Sequence, residues 1–371
     1  MNHGWKYITS EECFSSITPK CKIEKKKYST GSLIPIISQE EEFISGYWDD
    51  YSDITPHSKP VVVFGDHSRV LKYIDFDFVV GADGVKILHP SELIEAKFLY
   101  YYLRWKNIPS LGYSRHFKLI KDSTYLCPPL NSQHTIVTEL DKLNELIELK
   151  RKQLKDLDTL AQSLFYETFG DPIENPKGWK TVLLEECVSD KCSISYGIVQ
   201  PGDDMANGTP IVRPVDFGTN RYVFNENLKH ISPDISESYK RTILNGDEIL
   251  ICVRGTTGLV KLSHTSLSGA NVTRGIVPIQ IKSSLSKIYI YEYLKRERAQ
   301  SYIQLYTKGI ALKQINLSDL RSLPILLPPL SLQNEFATRI EAIEAQKRLI
   351  ETSIEDLETL LASRMDYWFN D

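Results

Sequence analysis

The chain has 371 residues, 42% of them hydrophobic and 25% charged, with a formal net charge of −4; this composition suits two or three globular domains, each burying its own core. No apolar run is long enough to span a bilayer and residues 1–10 carry no basic segment leading into a greasy one, so a membrane-spanning helix is excluded and a cytoplasmic protein is expected. The six cysteines, at 13, 21, 127, 187, 192 and 252, form no Cys-x-x-Cys pair, and none stands at zinc-ligand spacing from a histidine, which excludes a zinc site of the usual kind.

The overall acidity argues against phosphate binding, but the distribution of charge along the chain argues for it. Residues 1–130 hold 16 basic and 16 acidic side chains, and residues 131–171 hold 5 and 8. Residues 175–325 hold 19 and 14, and residues 331–371 hold 4 and 9. The acid is concentrated in two helical segments, and residues 175–325 between them are basic enough for a nucleic-acid partner.

In chain order, residues 1–130 open with "GWKYITSEEC" (Gly4–Cys13) and continue as a strand-rich head. Short β-branched and aromatic runs, "KPVVVFGDHS" (Lys59–Ser68) and "YIDFDFVVGADGVKIL" (Tyr73–Leu88), are broken by Gly, Asp and Pro. The run "KIEKKK" (Lys22–Lys27) is a solvated basic patch. A turn, "GDHSRVLKY" (Gly65–Tyr73), places Arg69 and Lys72 between two strands; a helix is expected over Ile94–Lys106; and "GYSRHFK" (Gly112–Lys118) sets Arg115 and Lys118 on a loop.

Then "LCPPLNSQHTIVTEL" begins at Leu126. Two prolines end the preceding structure, Asn131 is a good N-cap, and a long stretch free of Gly and Pro follows. Ile136, Leu140, Leu143, Ile147, Leu154, Leu157, Ala161 and Leu164 recur at alternating spacings of four and three, the pattern of a coiled-coil seam.

The next segment, residues 172–330, repeats the plan. "GWKTVLLEEC" (Gly178–Cys187) matches the first entrance, and "GDEILICVRGTTGLVKL" (Gly246–Leu262) carries a tight turn with Arg254, Thr256 and Thr257, followed by Lys261. Glycines there permit positive φ and close backbone approach, and an arginine fork suits phosphate or guanine. "RGIVPIQI" (Arg274–Ile281) reads as a further strand, Leu285–Tyr306 as a helix, and "KGIALKQ" (Lys308–Gln314) as a basic loop bearing Lys313. The octapeptide "PDISESYK" (Pro233–Lys240) is read as a loop.

At Leu326 the phrase returns as "LLPPLSLQNEFATRI". From Leu126 to Asp171 the chain matches itself two hundred residues later, without a gap, at fourteen of forty-six positions, including Pro128/Pro328, Pro129/Pro329, Leu130/Leu330, Gln133/Gln333, Asp156/Asp356, Leu157/Leu357, Leu160/Leu360, Phe169/Phe369 and Asp171/Asp371; about three would match by chance at ordinary usage. The second seam is Phe336, Ile340, Ile343, Ile350, Ile354, Leu357, Leu361 and Trp368. Helices of about 37 residues, roughly 55 Å, are too long to bury such stripes in one compact domain and are expected to pair antiparallel.

Catalytic motifs are missing. The sequence has no G-x-G-x-x-G opening a helix, no P-loop and no Asn-Pro-Pro-aromatic motif, and neither Asp75/Asp77 nor Asp203/Asp204 has an evident metal or acid–base partner. A binding and positioning role is expected, with chemistry on other subunits; a coiled-coil scaffold with two protein-binding heads is the alternative.

The paired "PPL" helix entries, "LDTLAQSLFYETFGDP" (Leu157–Pro172), "FGDHSR" with "DFDFVVGADGVKIL", and "GDEILICVRGTTG" together resemble the DNA-specificity subunits of type I restriction–modification enzymes. The resemblance covers essentially the whole chain. It implies an α+β chain: two mixed α/β target-recognition domains (1–130 and 172–330) separated by two long antiparallel coiled-coil helices (131–171 and 331–371) with pseudo-two-fold symmetry. It also implies a non-catalytic subunit that reads an asymmetric bipartite site in double-stranded DNA and positions two modification (methyltransferase) subunits, along with restriction (nuclease/translocase) subunits. No cofactor is expected on this chain, S-adenosylmethionine being carried by the methyltransferase partners. DNA contacts are expected from Arg69, Lys72, Arg115, Lys118, Arg254, Thr256, Thr257, Lys261 and Lys313, and partner contacts from Leu143, Ile147, Leu154, Leu157, Ile343, Ile350, Ile354 and Leu357.

Overall fold

The computed structural model describes residues 5–370 apart from 32, 59, 113, 310 and 311; Gly4, Lys59 and Asp371, which belong to the motifs above, therefore lie outside the described residues, as do one residue of "GYSRHFK" and two of "KGIALKQ". Contacts divide the chain into a first unit, residues 1–153 with 350–371, and a second, residues 154–349.

The first unit runs β1 (Lys6–Ile8), α1 (Ser10–Cys13), β2 (Phe14–Ile17), β3 (Ile34–Ile37), β4 (Gly46–Trp48), β5 (Val61–Gly65), β6 (Leu71–Ile74), β7 (Val79–Val80) and β8 (Val85–Pro90). It continues with α2 (Ala96–Lys106), α3 (Phe117–Lys121), β9 (Tyr125–Cys127) and the start of α4 (Leu130–Phe169). β5 is buried along its whole length, as an uninterrupted Val-Val-Val-Phe run should be in a strand covered on both faces. It lies inside a four-stranded sheet of order β2-β8-β5-β6, beside a three-stranded sheet β4-β3-β7 and the two-stranded β1-β9. α1 starts on a capping box in which Thr9 and Glu12 satisfy each other's backbone N–H.

The second unit contains β10 (Lys180–Leu183), α5 (Leu184–Cys187), β11 (Thr209–Val212), β12 (Tyr222–Val223), β13 (Lys229–Ile231), α6 (Pro233–Ser238), β14 (Ile249–Cys252), β15 (Val260–Ser263), β16 (Asn271–Val272) and β17 (Ile276–Ile279). It closes with α7 (Lys287–Leu294), α8 (Glu297–Tyr306), α9 (Leu317–Arg321), β18 (Pro324–Leu327) and the start of α10 (Leu330–Phe369). Two expectations change here. Pro233–Ser238 is a short helix, not a loop, because Ser232 caps it and proline occupies its first turn. The helix expected over Leu285–Tyr306 breaks into α7 and α8, because Arg296 is extended and its buried guanidinium folds back onto the Glu292 carbonyl and carboxylate.

The two heads share a topology that their sequences do not display. β3 is flanked by antiparallel β4 and parallel β7, and β11 by antiparallel β13 and parallel β16. β5 pairs antiparallel with β6 and β8, and β14 with β15 and β17. Only the added edge strand differs, β2 on β8 in one head and β12 on β15 in the other.

Each unit contains its own stretch of antiparallel helix pairing. In the first, Ile136, Leu140, Leu143 and Ile147 of α4 share one core with Ile354, Leu357, Leu361, Met365 and Phe369 of α10 and with α2. Glu139 is bonded there by Arg364 and Trp368, and Glu358 by Arg151, an order that only opposed helices give. In the second, Leu157, Ala161, Leu164 and Phe165 meet Phe336, Ile340 and Ile343 in the head core, with Lys347 on Asp158 at 2.8 Å.

The repeated Pro-Pro-Leu-x-x-Gln phrase acquires a reason. Gln133 is fully buried; its amide N–H groups reach the Leu93 and Pro128 carbonyls at 2.8 Å, and its oxygen accepts the Glu95 N–H. Gln333 bonds the Pro328 carbonyl and the Ser286 N–H in the same way. Each glutamine ties the carbonyl of the first proline to the backbone at the N-terminus of a head helix, α2 or α7, where the head joins its long helix.

Candidate nucleic-acid interface

In the second head, backbone hydrogen bonds gather five segments around the β14–β15 turn. The Val253 N–H donates to Gly275 O at 2.8 Å, Ile315 N–H to Val253 O at 3.0 Å and Gly255 N–H to Lys313 O at 2.8 Å. Thr273 N–H donates to Val212 O at 3.0 Å and Arg274 N–H to Ile198 O at 2.8 Å. The cluster collects Tyr196, Arg213, Arg254, Arg274 and Lys313, with the Arg274 guanidinium 5.6 Å from the Tyr196 ring centre. Asp216 is taken up by Arg213, and the Asp204 carboxylate also faces that arginine. Gly255 (φ 81°) and Gly258 (φ 92°) hold the turn in a conformation closed to most L-residues. Arg254 Nε and Thr257 Oγ1 are both buried there without a hydrogen-bond partner among the described residues, and Thr257, 9% exposed, shapes the turn.

The first head builds the same platform from different residues. Asp66 N–H donates to Gly84 O at 2.6 Å and His116 N–H to Asp66 O at 2.9 Å, the counterparts of the Val253 and Ile315 bonds. His116 is fully buried; its Nε2 accepts the Leu111 N–H and its Nδ1 sits 2.9 Å from Asp66 O, so the Nδ1–H tautomer anchors the segment on which Arg115 and Lys118 are exposed. Arg115 is on the expected loop, whereas Lys118 lies in the first turn of α3. Arg69 adopts φ 64° and donates to Ile108 O at 2.9 Å, lining a 640 Å³ cleft with Arg104 and Arg151.

Of the expected DNA contacts, Arg69, Arg115 and Lys118 therefore gather near the first turn, and Arg254, Thr256, Thr257 and Lys313 at the second. Lys72 and Lys261 do not belong to either surface. Lys72 is 3% and Lys261 8% exposed; Lys72 bonds the Ser38 and Glu42 carbonyls and Lys261 those of Thr219 and Asn220. Burial holds both ammonium groups below the usual lysine range, helped at Lys261 by Lys295 and Lys347. They occupy matching places on the second strand of each hairpin and staple a loop to it. Lys72→Met should cost about 1–3 kcal/mol by orphaning two carbonyls, visible as a lower Tm in thermal unfolding; an unchanged Tm would deny Lys72 this structural role.

The expected partner contacts also move. Leu143, Ile147 and Ile343 are 8%, 3% and 7% exposed, and Leu157, Ile354 and Leu357 are half-buried against the same cores; side chains spent on helix pairing are not offered to a third chain. Leu154 and Ile350 are half-buried. Exposed instead are Leu149 (52%), Leu160 (51%), Leu349 (73%) and Leu360 (45%), two pairs related by the repeat. Sequence reasoning missed Arg213, Arg274 and Tyr196, for which the Arg-x-x-Asp spacing at 213–216 was the only local signal.

All six cysteines are free; burial pushes the Cys252 thiol up to about 11 and Cys187 to about 12, which keeps both protonated at neutral pH. Among the described residues no group of three or more His, Cys, Asp or Glu side chains could hold a metal ion, and no helix is long and apolar enough to cross a membrane.

A family model described as the type I restriction modification DNA specificity domain matches residues 176–359. The chain is 22% identical over 261 residues to the type I restriction enzyme EcoBI specificity subunit of Escherichia coli, covering 64% of this chain and 55%, about half, of that one. It is 22% identical over 370 residues to the StySPI specificity subunit of Salmonella potsdam, covering 92% and 78%. In fold it is similar to the crystal structure of a type I restriction–modification S subunit from M. genitalium, with a TM-score of 0.59 at 13% identity over 99% of this chain and 96% of that one. Domain match, relatives and fold agree with the duplicated heads and helices, and the chain belongs to the specificity subunits of type I restriction–modification systems.

Proposed function

We propose that this chain is the non-catalytic cytoplasmic subunit that reads an asymmetric, two-part DNA site, one part with each head, and brings methyltransferase and nuclease/translocase subunits to it. One observation carries the reading: the two heads share a strand topology and the same hydrogen-bonded turn platform, yet place different side chains on it. A copied frame with diverged tips is what two readers of different sequences require, since the major groove distinguishes base pairs by the side chains presented to it. Arg115 and Lys118 serve the first head and Arg254, Thr256 and Lys313 the second, with Arg69 at the edge of the first turn and the buried Thr257 shaping the second. S-adenosylmethionine is carried by the modification partners, two of which dock on the acidic helices through Leu149, Leu160, Leu349 and Leu360.

Replacing residues 178–325 with the corresponding segment of a relative is expected to change one half of the methylated sequence and leave the other intact, read by mapping methylated bases in cells that also express the modification subunit. Change in both halves, or in neither, would mean that the heads do not read separately.

A further inference from the structure

We propose that Arg213 reads a guanine in the half-site taken by the second head and that Asp216 is the positioning residue that aims it. The inference rests on the specificity reading above and assigns one of its contacts.

Arg213 leaves the end of β11, and three hydrogen bonds fix it to one carboxylate. Its backbone N–H donates to Asp216 Oδ2 at 2.7 Å, its Nε–H to the same oxygen at 3.1 Å and its Nη2–H to Oδ1 at 2.8 Å. The side edge of the guanidinium is thereby occupied. Its far end, one N–H on Nη1 and the second on Nη2, remains as a parallel pair of donors, the fork that matches O6 and N7 of guanine. Asp216 is the more enclosed partner, with its side chain 11% exposed against 37% for Arg213. The pair thus presents a preset arginine, with little rotamer freedom left to lose on binding.

The loop lies among the second head's basic residues. A Cβ on Gly275 would come within 2.8 Å of Pro214 Cγ and 3.7 Å of the Arg254 carbonyl, so Arg213–Asp216 packs beside the Arg254 turn, with Arg274 adjacent in sequence to that glycine. Val215, between the arginine and its aspartate, is 80% exposed, so the loop tip is open to solvent.

The first head supplies an internal control. Ile37 pairs with Val80 as Val212 pairs with Val272, so Ser38 stands where Arg213 does. Ser38 is bonded to Ser45 at 2.6 Å, and the following Gln39 is committed to Asp83 O and His67 N–H. No arginine fork exists at that place, and a guanine requirement from this position belongs to the second half alone.

The test maps the methylated sequence produced by the chain together with its modification subunits, for the wild type and for Arg213→Ala, Arg213→Lys and Asp216→Ala. The wild-type second half should contain a G·C pair whose requirement relaxes in all three variants, by about tenfold to a hundredfold in discrimination for the loss of a bidentate contact. Lysine should not restore it, because it keeps the charge but lacks the fork. The first half should stay fixed, which also reports that the variants fold and assemble. An unchanged sequence, or a uniform fall in methylation with no position relaxed, as a phosphate contact would give, overturns the assignment. A wild-type complex that methylates no defined sequence would instead defeat the specificity reading itself.

Discussion

Phe369→Ala is expected to lower the stability of the first unit by about 3–5 kcal/mol, the cost of deleting a fully buried aromatic ring, and its melting temperature by roughly 6–20 °C for a unit of this size. Phe369 is 2% exposed, and its ring lies 5.5 Å from Phe98, 5.6 Å from Tyr102 and 5.8 Å from Trp105, all on α2. The last turn of α10 is thus part of the core of the head that begins the chain. The repeat partner, Phe169, does the same work in the second unit against Tyr289 at 4.7 Å and Phe336 at 5.0 Å. Differential scanning calorimetry checks the prediction, with hydrogen exchange at Phe98–Trp105 reporting which unit loosens. Leu360→Ala, on the same helix but 45% exposed, should stay within about 0.5 kcal/mol of the parent. Equal effects of the two substitutions would deny Phe369 its place in the core.

The second large effect is expected on assembly. Leu149 and Leu160 are eleven residues apart, about three turns, and so lie along one line of α4; Leu349 and Leu360 repeat that line on α10. The first unit thus exposes Leu149 of α4 and Leu360 of α10, and the second Leu160 of α4 and Leu349 of α10. Burying a leucine in an interface contributes about 1.5–3 kcal/mol, and an aspartate there adds an uncompensated charge. Leu149→Asp with Leu349→Asp should weaken capture of the modification subunit by at least tenfold to a hundredfold at each face, measured by sedimentation of the mixed subunits. Because both leucines are more than half exposed, the chain alone should melt close to the parent. Undiminished assembly by the double variant would remove these faces from the docking surface.

The long helices were legible because their evidence is local and doubled. Period, caps and Pro-Pro boundaries act within a few turns, and the two-hundred-residue repeat tested each of them twice; the observed bounds, Leu130–Phe169 and Leu330–Phe369, differ from the expected ones by one or two residues. The head topology was hidden, because strand pairing depends on contacts far apart in the chain and tolerates almost any residue of suitable size on each face. β3–β7 and β11–β16 are therefore equivalent without looking alike.

By itself the sequence determined the duplicated frame, the seam residues and the separation of acidic helices from a basic second head, since periodicity and charge are written along the chain. Only the tertiary structure decided which basic groups face outward. Lys72 and Arg69 stand three residues apart in one hairpin, yet one is sealed under two carbonyls and the other lines a cleft. The same holds for the stripe of leucines and isoleucines that the helices spend on each other and for the Arg213–Asp216 pair. Burial is a property of what the rest of the molecule brings alongside a residue, and no pattern of neighbours in sequence contains it.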